Sequence, residues 1–113
     1  MTVQRQIRQV GDTRVAIAAT LKRPDGTVVD LTGFETTTYF KMLDSEGSTK
    51  VAETISHVTV TDATAGQVEY APQAVDVDTE GTFHAYFIVL DGTDRDIFPA
   101  AKGGFEIVIE AAV

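Results

Sequence analysis

The sequence predicts an all-β protein in which two antiparallel sheets pack face to face. Three observations carry that prediction. Apolar residues recur mainly with period two, as in half-buried strands. The stretches between them are short and rich in Gly, Asp, Pro and Thr, with turn signals about every 8–12 residues, the spacing of a β-sandwich. Sixteen residues of the 113 are Thr, whose branched Cβ loses rotamer freedom in a helix and suits a pleated surface. At this length one domain over residues 1–113 has room for a core that needs neither disulfides nor zinc.

The elements follow in order. Val3 to Val10 alternates weakly and reads as an edge strand, ended by Gly11-Asp12. Arg14 to Leu21 alternates cleanly, with Val15, Ile17, Ala19 and Leu21 on the core side. Pro24-Asp25-Gly26 is a tight turn, because Pro fixes φ and Gly accepts a positive one. Val28 to Leu31 is a short extended piece. Phe34 to Leu43 is a long strand whose inward phase is Thr36, Thr38, Phe40 and Met42, since the opposite phase would bury Glu35 and Lys41. After Ser45-Glu46-Gly47, modest strands cover Lys50 to Ile55 and His57 to Thr61. Gln67 to Ala71 is the next, stopped by Pro72, which has no N–H for a ladder. Residues 73–81 cross over. Thr82 to Leu90 is the strongest strand, with Phe83, Ala85, Phe87 and Val89 on one face and His84, Tyr86, Ile88 and Leu90 on the other. Asp91-Gly92 opens a hairpin that returns through Ile97 and Phe98, and Phe105 to Glu110 closes the fold with Phe105, Ile107 and Ile109 inward. This makes seven to nine short strands, the pattern of an immunoglobulin-like antiparallel β-sandwich.

Charge and composition exclude several functions. A net charge of −8 disfavours nucleic acid, whose affinity comes largely from Lys and Arg releasing counterions. The charge is uneven: residues 1–23 hold five basic residues against one acidic, and residues 24–113 hold four against sixteen. The longest uninterrupted apolar run, Ala85 to Leu90, is far short of the roughly 20 residues of a membrane helix, and the N-terminus lacks a signal-peptide apolar region, so the chain reads as soluble and unexported. With no Cys, thiolate chemistry is absent. No Ser stands in a nucleophile elbow, and Ser56 and His57, adjacent in an extended segment, point opposite ways. The expectation is a protein that is not an enzyme and uses no cofactor.

The motifs Gly11-Asp12-Thr13, Asp25-Gly26, Asp30-Leu31-Thr32-Gly33, Gly66-Gln67-Val68-Glu69-Tyr70, Glu80-Gly81-Thr82-Phe83, Phe98-Pro99 and Phe105-Glu106-Ile107 occur in this order over roughly residues 8–110. Each is common turn chemistry; order and spacing make the series resemble the N-terminal immunoglobulin-like domain of phage baseplate upper proteins. Phe83 stands where that family usually has Tyr, which removes from this position any tyrosine-corner hydrogen bond to the preceding crossover. The resemblance implies a structural component of a tailed-phage virion, in baseplate, tail, neck or head decoration. Its implied partners are other virion proteins and copies of itself, with no nucleic acid and no membrane, and it implies assembly into the virion in the host cytoplasm.

Candidate sites are few. Tyr86, Ile88 and Leu90 point away from the core, and beside Tyr39 and Leu43 they would form an apolar patch fit for a protein partner. Arg5, Arg8 and Arg14 would add electrostatic register against an acidic neighbour. Asp76, Asp78 and Glu80 alternate like the start of a calcium loop, but the twelfth position is Phe87, where such a loop needs Glu. No metal site is expected beyond that weak resemblance, with Asp91, Asp94 and Asp96 as distant additions. The alternative function is a ligand-binding sandwich for host-surface carbohydrate or calcium, for which Tyr39 and Tyr86 are the available sugar platforms in a chain without Trp or Asn.

Overall fold

The segment with the longest alternation, Gly81–Asp91, becomes the strand on which the larger sheet is built. The computed structural model describes residues 5–98 and 105–111, residue 5 by its backbone alone. In chain order its strands are β1 (Arg5–Gln9), β2 (Ile17–Thr20), β3 (Thr38–Asp44), β4 (Thr49–Thr54), β5 (Val58–Asp62), β6 (Gln67–Tyr70), β7 (Gly81–Asp91), β8 (Asp94–Phe98) and β9 (Phe105–Glu110), with a short 3₁₀ turn over Ala74–Val77. The fold is an all-β sandwich of two sheets. One runs β1-β9-β7-β3-β4, with β8 also on β7; the other runs β2-β6-β5. No helix among the described residues is long and apolar enough to cross a membrane.

β7 has room for two neighbours along one edge. Gly81 to Ala85 pair with β9 and Phe87 to Asp91 with β8, while Phe83 to Val89 pair with β3 on the opposite edge. The alternation assigned from sequence holds here: Phe83, Ala85, Phe87 and Val89 are buried in the core, as are Phe105, Ile107 and Ile109 of β9. From the smaller sheet Ile17, Ala19, Val68 and Tyr70 complete it. The two sheets meet ring on ring, Phe40 stacking on Tyr70 at 4.0 Å and 6°, with Phe87 edge-on to Phe40 at 5.2 Å.

Three boundaries differ from the sequence reading. The first strand ends at Gln9, after which Val10 N–H donates to Glu110 O and Gly11 N–H to Val77 O. The chain changes sheets there, so Val15 lies before β2 and is 61% exposed. The third strand starts at Thr38 because two successive turns consume Phe34 to Thr37: Phe34 N–H donates to Leu31 O, and Phe34 O accepts from Thr37 N–H and, at 2.8 Å, from the Thr38 hydroxyl. Thr36 is therefore exposed, whereas Thr38, Phe40 and Met42 are buried as expected. His57 sits in the β4–β5 turn at φ +68, and the two modest strands it separates belong to different sheets.

Phe83 is core, but a tyrosine still ties a strand to the crossover that follows it, from another place: the Tyr70 hydroxyl donates to Asp76 Oδ2 at 2.5 Å, and Gln73 N–H donates to the same oxygen at 2.8 Å.

Candidate functional site

Side chains on the far side of the larger sheet from the core form the candidate site. Ladder register aligns Tyr39 of β3 with Ile88 of β7 and Ile97 of β8, one apolar row across three strands. The next row pairs Lys41 with Tyr86, where the Lys41 ammonium sits 5.6 Å from the ring centre in a cation–π arrangement. Leu43 lies opposite His84, and Leu90 opposite Arg95. Arg95 donates to Glu53 of β4 at 2.6 and 3.3 Å, so one ion pair bridges from β8 to β4 over the two strands between them. The carboxylate holds the Arg95 pKa above its ordinary value through that hydrogen bond first and its charge second.

The five apolar residues singled out from the sequence thus share one face, but that face is not open throughout. Ile88 is fully buried without belonging to the core cluster. On the outer side Tyr39 and Ile97 flank it in register and Tyr86 and Leu90 flank it along β7. Tyr39, Leu43, Tyr86 and Leu90 are half-buried. Ile97, 41% exposed, is the member of this face that the sequence reading passed over. Its signal was the alternation of β8, which sets Arg95 and Ile97 against Asp96 and Phe98.

Arg8 is corrected outright as a contact residue. Its register partner is Ile109, a core residue, and Arg8 is 6% exposed. Its guanidinium donates to Asp12 O at 3.0 Å and Gln6 Oε1 at 3.1 Å, and Nε is buried without a partner. Burial lowers its pKa, opposed by the charge of Asp12. Arg5 lies in β1 opposite Glu106, and its side chain is outside the described part of the structure. Arg14 is exposed.

The calcium-like alternation also resolves into separate structural roles. Asp76 is buried beneath Tyr70. Asp78 pairs with Lys50 of β4 at 2.5 Å, a bond that lowers its pKa, and Glu80 is exposed. Among the described residues no three His, Asp or Glu side chains gather as metal ligands.

No curated protein matches this sequence. A family model does, that of the BppU N-terminal domain, BppU being the baseplate upper protein, and it matches residues 3–112. Spanning nearly the whole sandwich, that match shows that the chain belongs to the BppU N-terminal domain family, which implies a structural component of a phage baseplate.

Proposed function

We propose that this domain, residues 1–113 taken as one unit, is a non-catalytic assembly module of a tailed-phage virion that docks on other virion proteins, and on copies of itself, through the outer face of its larger sheet. The observation that carries the reading is the group Tyr39, Tyr86, Leu90 and Ile97: accessible apolar side chains on three adjacent strands, standing around the buried Ile88 on the side away from the core. Aromatic and aliphatic residues at the centre with charged groups around them are the composition of protein interfaces. Here Lys41, Arg95 and Glu53 supply the charged surround. The strand order supports reading the sandwich as immunoglobulin-like, since β9-β7-β3 facing β2-β6-β5 is the connectivity of that fold's two sheets, with β1 and β4 added at the edges.

The test is incorporation. Particles assembled with the Ile97→Lys, Leu90→Lys double variant are purified and the chain is counted by quantitative mass spectrometry against the major capsid protein. Loss of the chain from particles, with the variant's circular dichroism and melting unchanged in solution, supports the outer face as the docking surface. Unchanged copy number overturns it.

A further inference from the structure

We infer that the free edge of β2 is a second docking site, built to receive an extended segment of a partner protein with acidic residues at both ends. Among the described strands β2 pairs with β6 alone. Leu21 N–H donates to Gly66 O at 2.8 Å, continuing the β6 ladder, so Leu21, Ala19 and Ile17 turn their backbone groups to β6. By alternation the N–H and C=O of Ala18 and Thr20 face the other way, where no described strand lies. Open edges invite a further strand, and proteins normally blunt them with charge, Pro or bulges. The other strands with a free edge are blunted. β1 carries Arg8, β8 carries Asp94, Arg95 and Asp96, β4 has two register shifts, and β5 has one ahead of Asp62. β2, Ile-Ala-Ala-Thr in regular register, has none of these.

The neighbourhood selects the occupant. Residues 13–24 hold Arg14, Lys22 and Arg23, the last paired with Asp96 at 3.8 Å, with Asp12 and Asp25 just outside them, in a chain of net charge −8. These cations stand just before and just after β2, and Arg14 and Lys22 are exposed. A second copy pairing antiparallel through β2 would set Arg14 of each molecule against Lys22 of the other, a repulsive register. An acidic-ended strand meets attraction at both ends. Beside the edge, on the solvent side of the smaller sheet, a depression of about 300 Å³ is lined by Ala18, Thr20, Thr61 and Gln67. The small side chains of Ala18, Thr20 and Thr61 leave room for a long side chain of the added strand to lie across β2.

The probe is a synthetic peptide of alternating Thr and Val, about eight residues long, with Asp-Glu at both ends, compared with the same peptide ended by Lys-Lys. Amide exchange of the whole chain is followed residue by residue. In the free chain Ala18 and Thr20 amides exchange rapidly while Ile17 and Ala19 are protected. Saturating acidic peptide slows Ala18 and Thr20 by about tenfold or more, raised salt weakens the effect, and the Lys-ended peptide gives none. The Arg14→Glu, Lys22→Glu double variant reverses that preference, and Ala18→Pro, which removes an outward N–H and no β6 bond, abolishes binding by the acidic peptide. Four results overturn the proposal: protection of Ala18 and Thr20 in the free chain, protection that grows with protein concentration alone, equal binding of both peptides, or no binding of the acidic one. The outer-face variants leave peptide binding unchanged, so this site and that face fail or stand separately.

Discussion

Tyr70 and Asp76 join the end of β6 to the crossover leading into β7, the hydroxyl donating to Oδ2 at 2.5 Å. The same ring stacks on Phe40 of the opposite sheet at 4.0 Å, so one side chain holds the sandwich shut and fixes the path of the crossover.

Tyr70→Phe keeps the stack and leaves the buried carboxylate with the Gln73 N–H as its remaining described donor. The expected loss is about 1–3 kcal/mol of folding stability by urea denaturation, because an incompletely satisfied buried acceptor bears its desolvation cost. Asp76→Ala is expected to lose at least as much. Two variants as stable as wild type would show that the crossover is held by other contacts.

Burial above all, then the hydrogen bond and charge of Asp76, push the Tyr70 hydroxyl well above the usual tyrosine range. The folded value lies above the unfolded one, so at alkaline pH the unfolded chain holds fewer protons than the folded one. The contribution of Tyr70 is complete below the unfolded value of about 10 and is lost as pH rises beyond it toward the folded value. Denaturation midpoints between neutral and strongly alkaline pH are expected to fall more steeply for wild type than for Tyr70→Phe. Parallel slopes would contradict this.

Gly66, at φ +67, has no space for a side chain: a Cβ would stand 2.7 Å from Val29 O and 3.0 Å from Leu21 O. Gly47, at φ +87, meets nothing within 4 Å. Gly47→Ala is expected to cost about 1–2 kcal/mol from backbone conformation alone. Gly66→Ala is expected to cost clearly more, since backbone oxygens cannot move aside without breaking the Leu21 and Val29 hydrogen bonds. Thermal melts of the two variants decide it.

Arg8 buries a charge with one donor unmatched. Arg8→Met keeps the stem's volume and removes the charge. Its effect on stability is expected to be neutral or favourable, within about 1–2 kcal/mol, and its effect on particle incorporation nil. A large loss of stability would mean that the guanidinium bonds to Asp12 O and Gln6 outweigh the cost of burial.

Ile88 and Ile97 are neighbours in one row with opposite exposure. Ile88→Ala is expected to cost about 2–4 kcal/mol by leaving a cavity, whereas Ile97→Ala is expected to stay within about 1 kcal/mol while lowering incorporation into particles. Equal stability losses would place both in the folded interior and remove Ile97 from the docking surface.

What the sequence made legible was alternation. Period two in β7 and β9 set the inward phase of both strands, and the Pro24-Asp25-Gly26 and Pro72 breaks stand where the chain turns or a strand ends. It could not show that the outer phase of β7 is itself buried at Ile88, because that depends on which strands become its neighbours. Arg8 misled for a related reason: its alternation in β1 is weak, and its inward phase follows from the parallel pairing with β9. Asp76 looked like one of three ligands in a row, yet the 3₁₀ turn Ala74–Val77 aims it at Tyr70 while Asp78 faces Lys50.

The parallel pairing of β1 with β9 also has a mechanical meaning. The start of β1 and the end of β9 lie at opposite ends of their shared ladder, whose five register pairs run from Arg5 with Glu106 to Gln9 with Glu110. Tension applied across those two ends pulls the strands past each other in shear, loading all five positions together instead of opening them one at a time. Force transmitted along the chain through this domain would therefore be borne first by the seam between its earliest and latest strands.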